Sequence, residues 1–559
     1  MIVCTRDWLF QKNLLTGLVL VMLTLIGVCQ QGMAVDAEQS KQVLSTELAE
    51  LVETRKQVPS LSPAKAFVVI DNVVTLELSE YAGYAGLIVA NNGLEPNDES
   101  YFTKNHGFKL KLSLSEEESW SKLNSGRLAG SATTVDVLAA YGSQFKVVVP
   151  ALIGFSRGST ALVVRKDVHT INDLKGKIVS TAQFTEADFL IRYLSREASL
   201  EIGFLDEPPW KPAVDKINLV FCDEGFASGD MFARDVIKDL SRFGGCVTWD
   251  PKTKEVTEKC NGGAVVLATT ANLLVIADVL VLNEGFAKAN PKIVLGLVDG
   301  LLAGNEMVRE DPDKHFVILE KVFEWEKGGA AEELKKVHLA NLPENLAFFN
   351  GTIDSAGSFE YILETAIDIY KSQIIGKPIK CESILSLDAL KAAEKSGVYR
   401  NQKSKIEPVL VDSDIIEKTD EDRAAPLLSK NVKIEFQPNK AAVMLDDVNN
   451  QEAFKTIASL LKIGNGSTVK LRGHADSEKL DEFRKRKDFK DAGGEGKVRE
   501  GKLKLKALSK ERSLASKEVL VKQYNISEAR IVCEGVGIDE PTGGGPERDR
   551  RVEIQWFTK

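Results

Sequence analysis

Residues 401 to 429 divide this chain. Over that stretch the composition turns polar and acidic, and Asp412 to Asp422 offers only Ile415 and Ile416 toward a core. A segment that buries so little apolar surface does not offset its ordering entropy, so 401–428 reads as a linker. Before it, from residue 67 to about 400, β-rich apolar runs alternate with helical patterns, which is the mark of an α/β domain. After it, apolar periodicity resumes at Val432 and continues to the end. At 559 residues the chain exceeds what one hydrophobic core holds, so two or three domains are expected. Strands are expected at Val73 to Leu78, Leu110 to Leu112, Lys177 to Ser180, Ile217 to Phe221 and Ala264 to Ala268.

The N-terminus has the layout of an export signal. Arg6 and Lys12 precede the apolar run Leu14 to Val28, and the polar pair Gln30-Gln31 follows. The run is short for a membrane span, which needs about 20 apolar residues. Gly32-Met33-Ala34 places small residues where a signal peptidase reads, so residues 1–34 are expected to be removed after Ala34. The alternative is an uncleaved membrane anchor, because Leu44, Leu48, Leu51 and Val52 recur at helical spacing and would make 35–66 a helical stalk, or else a linker. Val28 before Cys29 is too large for a lipid-attachment box.

A net charge of -9 gives no general attraction to nucleic acid, and no nucleic-acid partner is expected. Of seven cysteines, Cys4 and Cys29 fall in the leader. Cys222, Cys246, Cys260, Cys381 and Cys533 remain, an odd set. Cys246 and Cys260 flank a turn-rich polar segment, so a hairpin closed by a disulfide between them is expected in an oxidising compartment, with two buried free thiols as the alternative. The five histidines are scattered and no CxxC occurs, so neither a metal site nor a cofactor is expected.

In the last third, Val469 to Leu471 reads as a strand ending in Gly473-His474-Ala475-Asp476. Leu508-Ser509-Lys510-Glu511-Arg512 then opens a helix, followed by Gly535-Val536-Gly537, Glu540-Pro541 and Asp549-Arg550-Arg551-Val552-Glu553-Ile554. In this order the segments resemble the OmpA C-terminal family, with Ile434-Glu435-Phe436 as its opening strand, over a domain spanning 429–559. The resemblance implies a small α+β fold that binds peptidoglycan by the diaminopimelate of its stem peptide. That group presents an ammonium and a carboxylate together, and so needs an acid and a base at fixed separation. By position Asp476 takes the ammonium and Arg512 the carboxylate, with Gly473, His474 and Arg551 around them. The alternative is that both are solvated surface charges or a private ion pair. The charged insert 477–507, with Arg484-Lys485-Arg486-Lys487, reads as a mobile surface loop.

In the α/β part, three strand-to-helix junctions carry small, hydroxylated or aromatic residues: Ser79 to Tyr84, Ser131 to Thr134 and Ser180 to Glu186. Ligands of open α/β sheets sit outside the carboxyl ends of strands. The candidate ligand-binding residues are therefore Glu80, Tyr81, Tyr84, Ser131, Thr133, Thr134, Thr181, Phe184 and Thr185, with simple helix capping as the competing account. Tyr84 to Gly93, Leu123 to Gly126 and Ile171-Asn172-Asp173-Leu174-Lys175-Gly176-Lys177 resemble the periplasmic substrate-binding proteins of nitrate, sulfonate and taurine importers. The fold implied is α/β, two hinged lobes over 67–400 that close on a small polar molecule, with an ABC importer permease as partner and the periplasm as location. Loops Cys222 to Phe226 and Thr269 to Asn272 would contribute from the second lobe. Trp120 reads as a core anchor, and Glu80, Glu186 and Asp223 lean against a bare dianion.

Two other functions compete. Gly154-Phe155-Ser156-Arg157-Gly158 spells a serine-hydrolase elbow, with His338 as the conceivable base. Ser159 to Val164 reads as another strand, however, and an elbow needs a helix there, so no enzyme is expected. The other is a ligandless tether or partner-binding module on the cell wall.

Overall fold

The computed structural model describes residues 51–115, 119–206, 208–352, 357–404, 406, 425–437, 440–464 and 466–558. The chain divides into two units, Met1–Glu53 and Thr54–Lys559. Of the first only residues 51–53 are described, and Leu51–Val52 form a short strand rather than a helix. The leader, Cys4, Cys29, Leu44 and Leu48 lie outside the described residues. Among those described, no helix is long and apolar enough to cross a membrane.

Within the second unit two sheets form two lobes. The first lobe begins with β1 (Val73–Leu78), α1 (Ala85–Asn91), β2 (Lys109–Leu114), β3 (Gly130–Thr134), α2 (Val135–Tyr141) and β4 (Val147–Ser156). The chain then crosses to the second lobe, with β5 (Thr160–Arg165), β6 (Ile178–Ala182), α3 (Glu186–Glu197), β7 (Glu201–Phe204) and β8 (Lys216–Cys222). That lobe continues through α4 (Gly225–Ile237), β9 (Phe243–Trp249), α5 (Lys252–Lys259) and β10 (Ala264–Thr269). Then β11 (Ala277–Asn283) returns to the first lobe, which is completed by α6 (Pro291–Glu310), β12 (Val337–Leu339) and α7 (Phe359–Tyr370). The first sheet runs β12-β4-β11-β3-β1-β2, and the second contains β8-β6-β9-β5-β10, with β7 paired to β8. This is the two-lobed α/β fold expected, with two crossovers, and the strands expected between Val73 and Ala268 fall on these elements.

Glycine spacing explains the packing of the first lobe. Gly296, Gly300 and Gly304 recur every fourth residue on α6 and so share a face. A Cβ at Gly304 would lie 2.0 Å from the Gly86 carbonyl oxygen on α1, and one at Gly300 would lie 2.2 Å from the Phe102 ring. The helices therefore approach at backbone distance over a core that includes Leu76, Leu87, Phe102 and Leu280.

The two crossovers are fastened to each other. Ser156 Oγ lies 2.7 Å from Thr270 Oγ1 and 2.9 Å from Ser159 Oγ, and the Gly158 amide donates to Thr270 Oγ1 at 3.0 Å. Residues 54–67 have no helix and lie as a strap across both lobes. The Arg55 amide donates to Gln183 Oε1 and Gln183 Nε2 donates to the Arg55 carbonyl, each at 2.9 Å. Further along, the Val58 amide meets the Gln373 carbonyl at 3.0 Å, and the Phe67 amide meets Asn283 Oδ1 at 3.2 Å.

A small α+β domain follows, with β13 (Leu428–Val432), α8 (Val448–Ile463), β14 (Thr468–His474), α9 (Glu478–Arg484), α10 (Gly494–Tyr524), β15 (Ile531–Gly537) and β16 (Val552–Phe557). Its sheet runs β13-β16-β14-β15. The opening strand is β13, not Ile434 to Phe436, because Leu428 to Val432 pairs with β16 in antiparallel register. The linker is shorter at both ends than expected: Gln402 is bonded to Glu306 at 2.9 Å, and Leu428 already pairs with Trp556. Residues 412–422 lie outside the described residues. The domain docks on the second lobe through Asn172, which donates to the Ser429 carbonyl at 3.0 Å and accepts its amide at 2.8 Å. It also meets the return crossover, where the Leu274 amide donates to the Ile463 carbonyl at 3.1 Å.

Two expectations are corrected. Cys246 and Cys260 are free, buried thiols. The segment between them is the end of β9 followed by α5, so no hairpin brings the two into a disulfide. The insert 477–507 is not a loop: α9 and the first turns of α10 occupy most of it. The Phe483 and Phe489 rings meet at 5.4 Å and Val498 is buried, which gives the insert an apolar seam.

Candidate functional site

A cavity of about 140 Å³ opens where the strand-end junctions of both lobes meet the crossovers. Of the candidates read from sequence, Glu80, Tyr81, Tyr84, Ser131, Thr133, Thr134 and Thr185 line it. Neither Thr134 nor Thr185 makes a side-chain cap on the helix that follows it, so the capping account fails for these two. The Thr185 hydroxyl donates instead to the Ala182 carbonyl at 2.8 Å, and the Ser131 hydroxyl to the Glu77 carbonyl at 2.8 Å. The Thr133 hydroxyl is buried and has no hydrogen-bond partner among the described residues.

Thr181 and Phe184 do not line the cavity. Thr181 is fully buried on β6. Phe184 takes φ 66, held by its amide donating to Asp188 Oδ2 at 3.0 Å, and its ring packs on Tyr370 at 5.9 Å. Of the second-lobe loops, Glu224 and Phe226 contribute to the lining. From the other loop, Thr270 serves the crossover instead. Trp120 is both: it packs on Phe145 at 5.5 Å and lines the cavity.

Sequence reading missed Trp249 and Asp278. Trp249 ends β9 and meets Phe226 at 5.5 Å between ring centroids. Asp278 sits in the middle of the apolar run Leu273 to Leu282, on the strand that pairs with both β3 and β4. An acid in such a run is costly without a purpose, and that was the available signal. Tyr84 Oη donates to Asp278 Oδ1 at 3.0 Å. Burial nevertheless pushes the Asp278 carboxyl well above the usual carboxylate range, and Glu186 and Asp136 add to the rise. Burial likewise raises Glu186, and raises Asp136 to about 7.

The elbow geometry of a hydrolase is not present at Ser156. The residue ends β4 and the chain passes directly into β5, while the hydroxyl is engaged by Ser159 and Thr270. His338 Nε2 lies 3.0 Å from Glu344 Oε2.

In the C-terminal domain, Asp476 and Arg512 bear on each other electrostatically. Asp476 Oδ1 accepts the Glu478 amide at 3.0 Å and Oδ2 lies 3.5 Å from Arg550. The Arg512 guanidinium lies 5.0 Å from the Phe436 ring centroid and donates to the Lys440 carbonyl at 3.2 Å. Burial lowers the Arg512 pKa and Asp476 opposes that shift. The arginine beside Asp476 is thus Arg550. Arg551 turns to Asn431 Oδ1 at 3.0 Å and the Glu540 carbonyl at 3.3 Å.

Gly473 and His474 are buried rather than presented. A Cβ at Gly473 would meet the Ser509 carbonyl oxygen at 2.2 Å, which is why α10 can lie on β14. His474 Nε2 is 3.2 Å from Glu553. His474, Glu540 and Glu553 form a cluster that could hold a metal ion. Arg472 already occupies it, at 2.6 Å from Glu540 and 2.7 Å from Glu553. Burial raises the Glu553 carboxyl, and His474 and Arg472 outweigh that and hold it at about 2. The basic run of the insert is also internally paired, Arg484 with Asp481 and Glu495 and Arg486 with Asp488.

No family model matches this sequence, and no curated protein matches it. Among solved structures it is similar to the alkanesulfonate-binding protein SsuA from Xanthomonas axonopodis pv. citri bound to MOPS, at 13% identity and TM-score 0.41, covering 57% of this chain and 100% of that one. It is similar to the periplasmic aliphatic sulphonate binding protein SsuA from Escherichia coli, at 14% identity and TM-score 0.42, covering 56% and 96%. The desulfurization enzyme DSZB is also similar, at 12% identity and TM-score 0.40, covering 58% and 99%. The two-lobed assignment rests on the strand order and the paired crossovers, and what those proteins bind or transform belongs to them alone.

Proposed function

We propose that this chain is an exported envelope protein that captures a small polar molecule between its two lobes and holds peptidoglycan through its C-terminal domain. The observation that carries the receptor reading is the cavity itself. It is walled by junctions of both lobes and by the return crossover, so a bound molecule would contact every part that a hinge motion displaces. An importer permease is the partner such a receptor would serve, and the periplasm the compartment.

For the wall-binding reading, the support is the OmpA-type motif order, with Asp476 and Arg512 near enough to act on each other electrostatically. The receptor reading is tested by mass spectrometry of small molecules retained on the purified full chain. A retained species that is lost in Thr133→Trp, with the variant still melting cooperatively, is the expected result. Retention unchanged in that variant would move the site elsewhere.

A further inference from the structure

The lining of the cavity is rich in acids. Glu77, Glu80, Glu186, Glu224 and Asp278 contribute to it, and among the described residues no lysine, arginine or histidine does. The nearby cations are already engaged. Lys122 lies 3.6 Å from Glu77. Lys252 is held by Asp230 at 3.1 Å and by Glu255 at 2.7 Å, and stands 5.5 Å from the Phe226 ring centroid.

An oxyanion would look for helix N-termini, but acids occupy those positions. Asp136 lies in the first turn of α2, and Glu186 and Asp188 lie in the first turn of α3. The Asp188 carboxylate, which accepts from the Phe184 amide and from Arg192, already uses the attraction that the α3 end would offer an anion. The remaining lining is aromatic, with Trp120, Trp249, Tyr81 and Tyr84, and aromatic faces attract cations through their quadrupoles. The buried Thr133 hydroxyl still lacks a partner among the described residues and lines the same space.

We propose that the ligand of the inter-lobe cavity is a small organic cation, an ammonium group bearing apolar substituents, rather than a sulfonate or other oxyanion. The inference rests on reading the lobes as a receptor. Asp278 and Glu186 supply the charge, the aromatic walls meet the substituents, and Thr133 takes a polar end of the ligand. A cavity of about 140 Å³ suits such a molecule, since an engineered cavity of ~150 Å³ takes benzene. The upward pull of burial on Asp278 and Glu186 fits a site whose counter-charge arrives with the ligand.

The experiment is calorimetry and thermal shift on the purified full chain. The probes are choline and n-butylammonium, their uncharged counterparts 3,3-dimethylbutan-1-ol and n-butanol, and methanesulfonate. At least one ammonium ion should bind, about tenfold or more tighter than its uncharged counterpart, because the counterpart loses the cation's attraction to the acids and aromatic faces and, for n-butylammonium, a charged hydrogen bond as well. Methanesulfonate should not bind. Asp278→Asn and Glu186→Gln, both isosteric, should each weaken the ammonium by about tenfold while melting cooperatively.

The assignment is overturned if no ammonium ion binds, if methanesulfonate or an uncharged counterpart binds as tightly, or if affinity survives both substitutions. An anionic or neutral molecule found retained on the purified chain would also overturn it, and would leave the receptor reading standing. A chain that retains nothing and binds none of the probes would overturn both.

Discussion

Tyr84 donates its phenolic hydrogen to Asp278 at 3.0 Å, which ties the first strand-to-helix junction of the first lobe to the strand that returns from the second. The acceptor is an acid in the interior of a sheet, so the bond is both a structural tie and the means by which the carboxyl tolerates its position. Tyr84→Phe should destabilise the chain by about 1–3 kcal/mol, the cost of leaving a buried acceptor unmet. Asp278→Asn keeps an acceptor for Tyr84 and should cost less. Urea melts of the two variants give the order directly, and a harmless Tyr84→Phe would mean that Asp278 is satisfied by something else.

Stability should depend on pH through Asp136. Its carboxyl stands at about 7 in the folded chain, because of burial first and then Glu186, with Thr134 opposing and Asp188 adding slightly. An unfolded aspartate titrates at about 3.9. The folded chain therefore keeps a proton that the unfolded chain has released. This contribution is fully present below about pH 4, is lost as pH rises toward about 7, and is constant beyond, up to about 4 kcal/mol in all. Asp136→Asn should flatten that part of a stability-pH profile, and an unchanged slope would assign it to Glu186 and Asp278.

Asp476→Ala and Arg512→Ala should each weaken pull-down of the full chain by purified sacculi by about tenfold or more, since each removes a charged hydrogen bond to the ligand. The pairing of Arg484 and Arg486 within the insert leads to the opposite expectation there, little change on neutralising them. Sacculus binding that is unchanged or tighter in Asp476→Ala would remove the assigned pocket.

Asn172→Ala deletes two hydrogen bonds between the second lobe and Ser429, together about 1–3 kcal/mol. Calorimetry should then show the C-terminal domain melting ahead of the lobes. A single unaltered transition would mean that the remaining contacts, Ile171 with Leu427, Leu274 with Ile463 and Lys430 with Glu197, hold the docking without Asn172.

Much of the fold was legible because hydrophobic alternation and turn chemistry are local properties. The junctions at Ser79 to Tyr84 and Ser131 to Thr134 could be located for that reason. Thr181 and Phe184 could not be sorted from Thr185, because which side chain faces a cleft depends on strand pleat and on a φ of 66 at Phe184, whose amide is bonded to the Asp188 carboxylate. Asp278 and Trp249 reach the cavity from strands about 100 or more residues from the first junctions, and no local pattern encodes that meeting. The insert was misread because its charges were counted and its seam of Phe483, Phe489 and Val498 was not.

The strap of residues 54–67 sets a mechanical limit. It is pinned to the second lobe at Gln183 and, at the same residue, to Gln373 beyond α7, because the Arg55 carbonyl accepts from both Gln183 Nε2 and Gln373 Nε2, at 2.9 and 3.1 Å. Any rotation that parts Gln183 from Gln373 must first undo this clasp at Arg55. The clasp is therefore the detent of the jaw, and the travel of the lobes is fixed from outside the cleft, by a segment that never touches what the cleft holds.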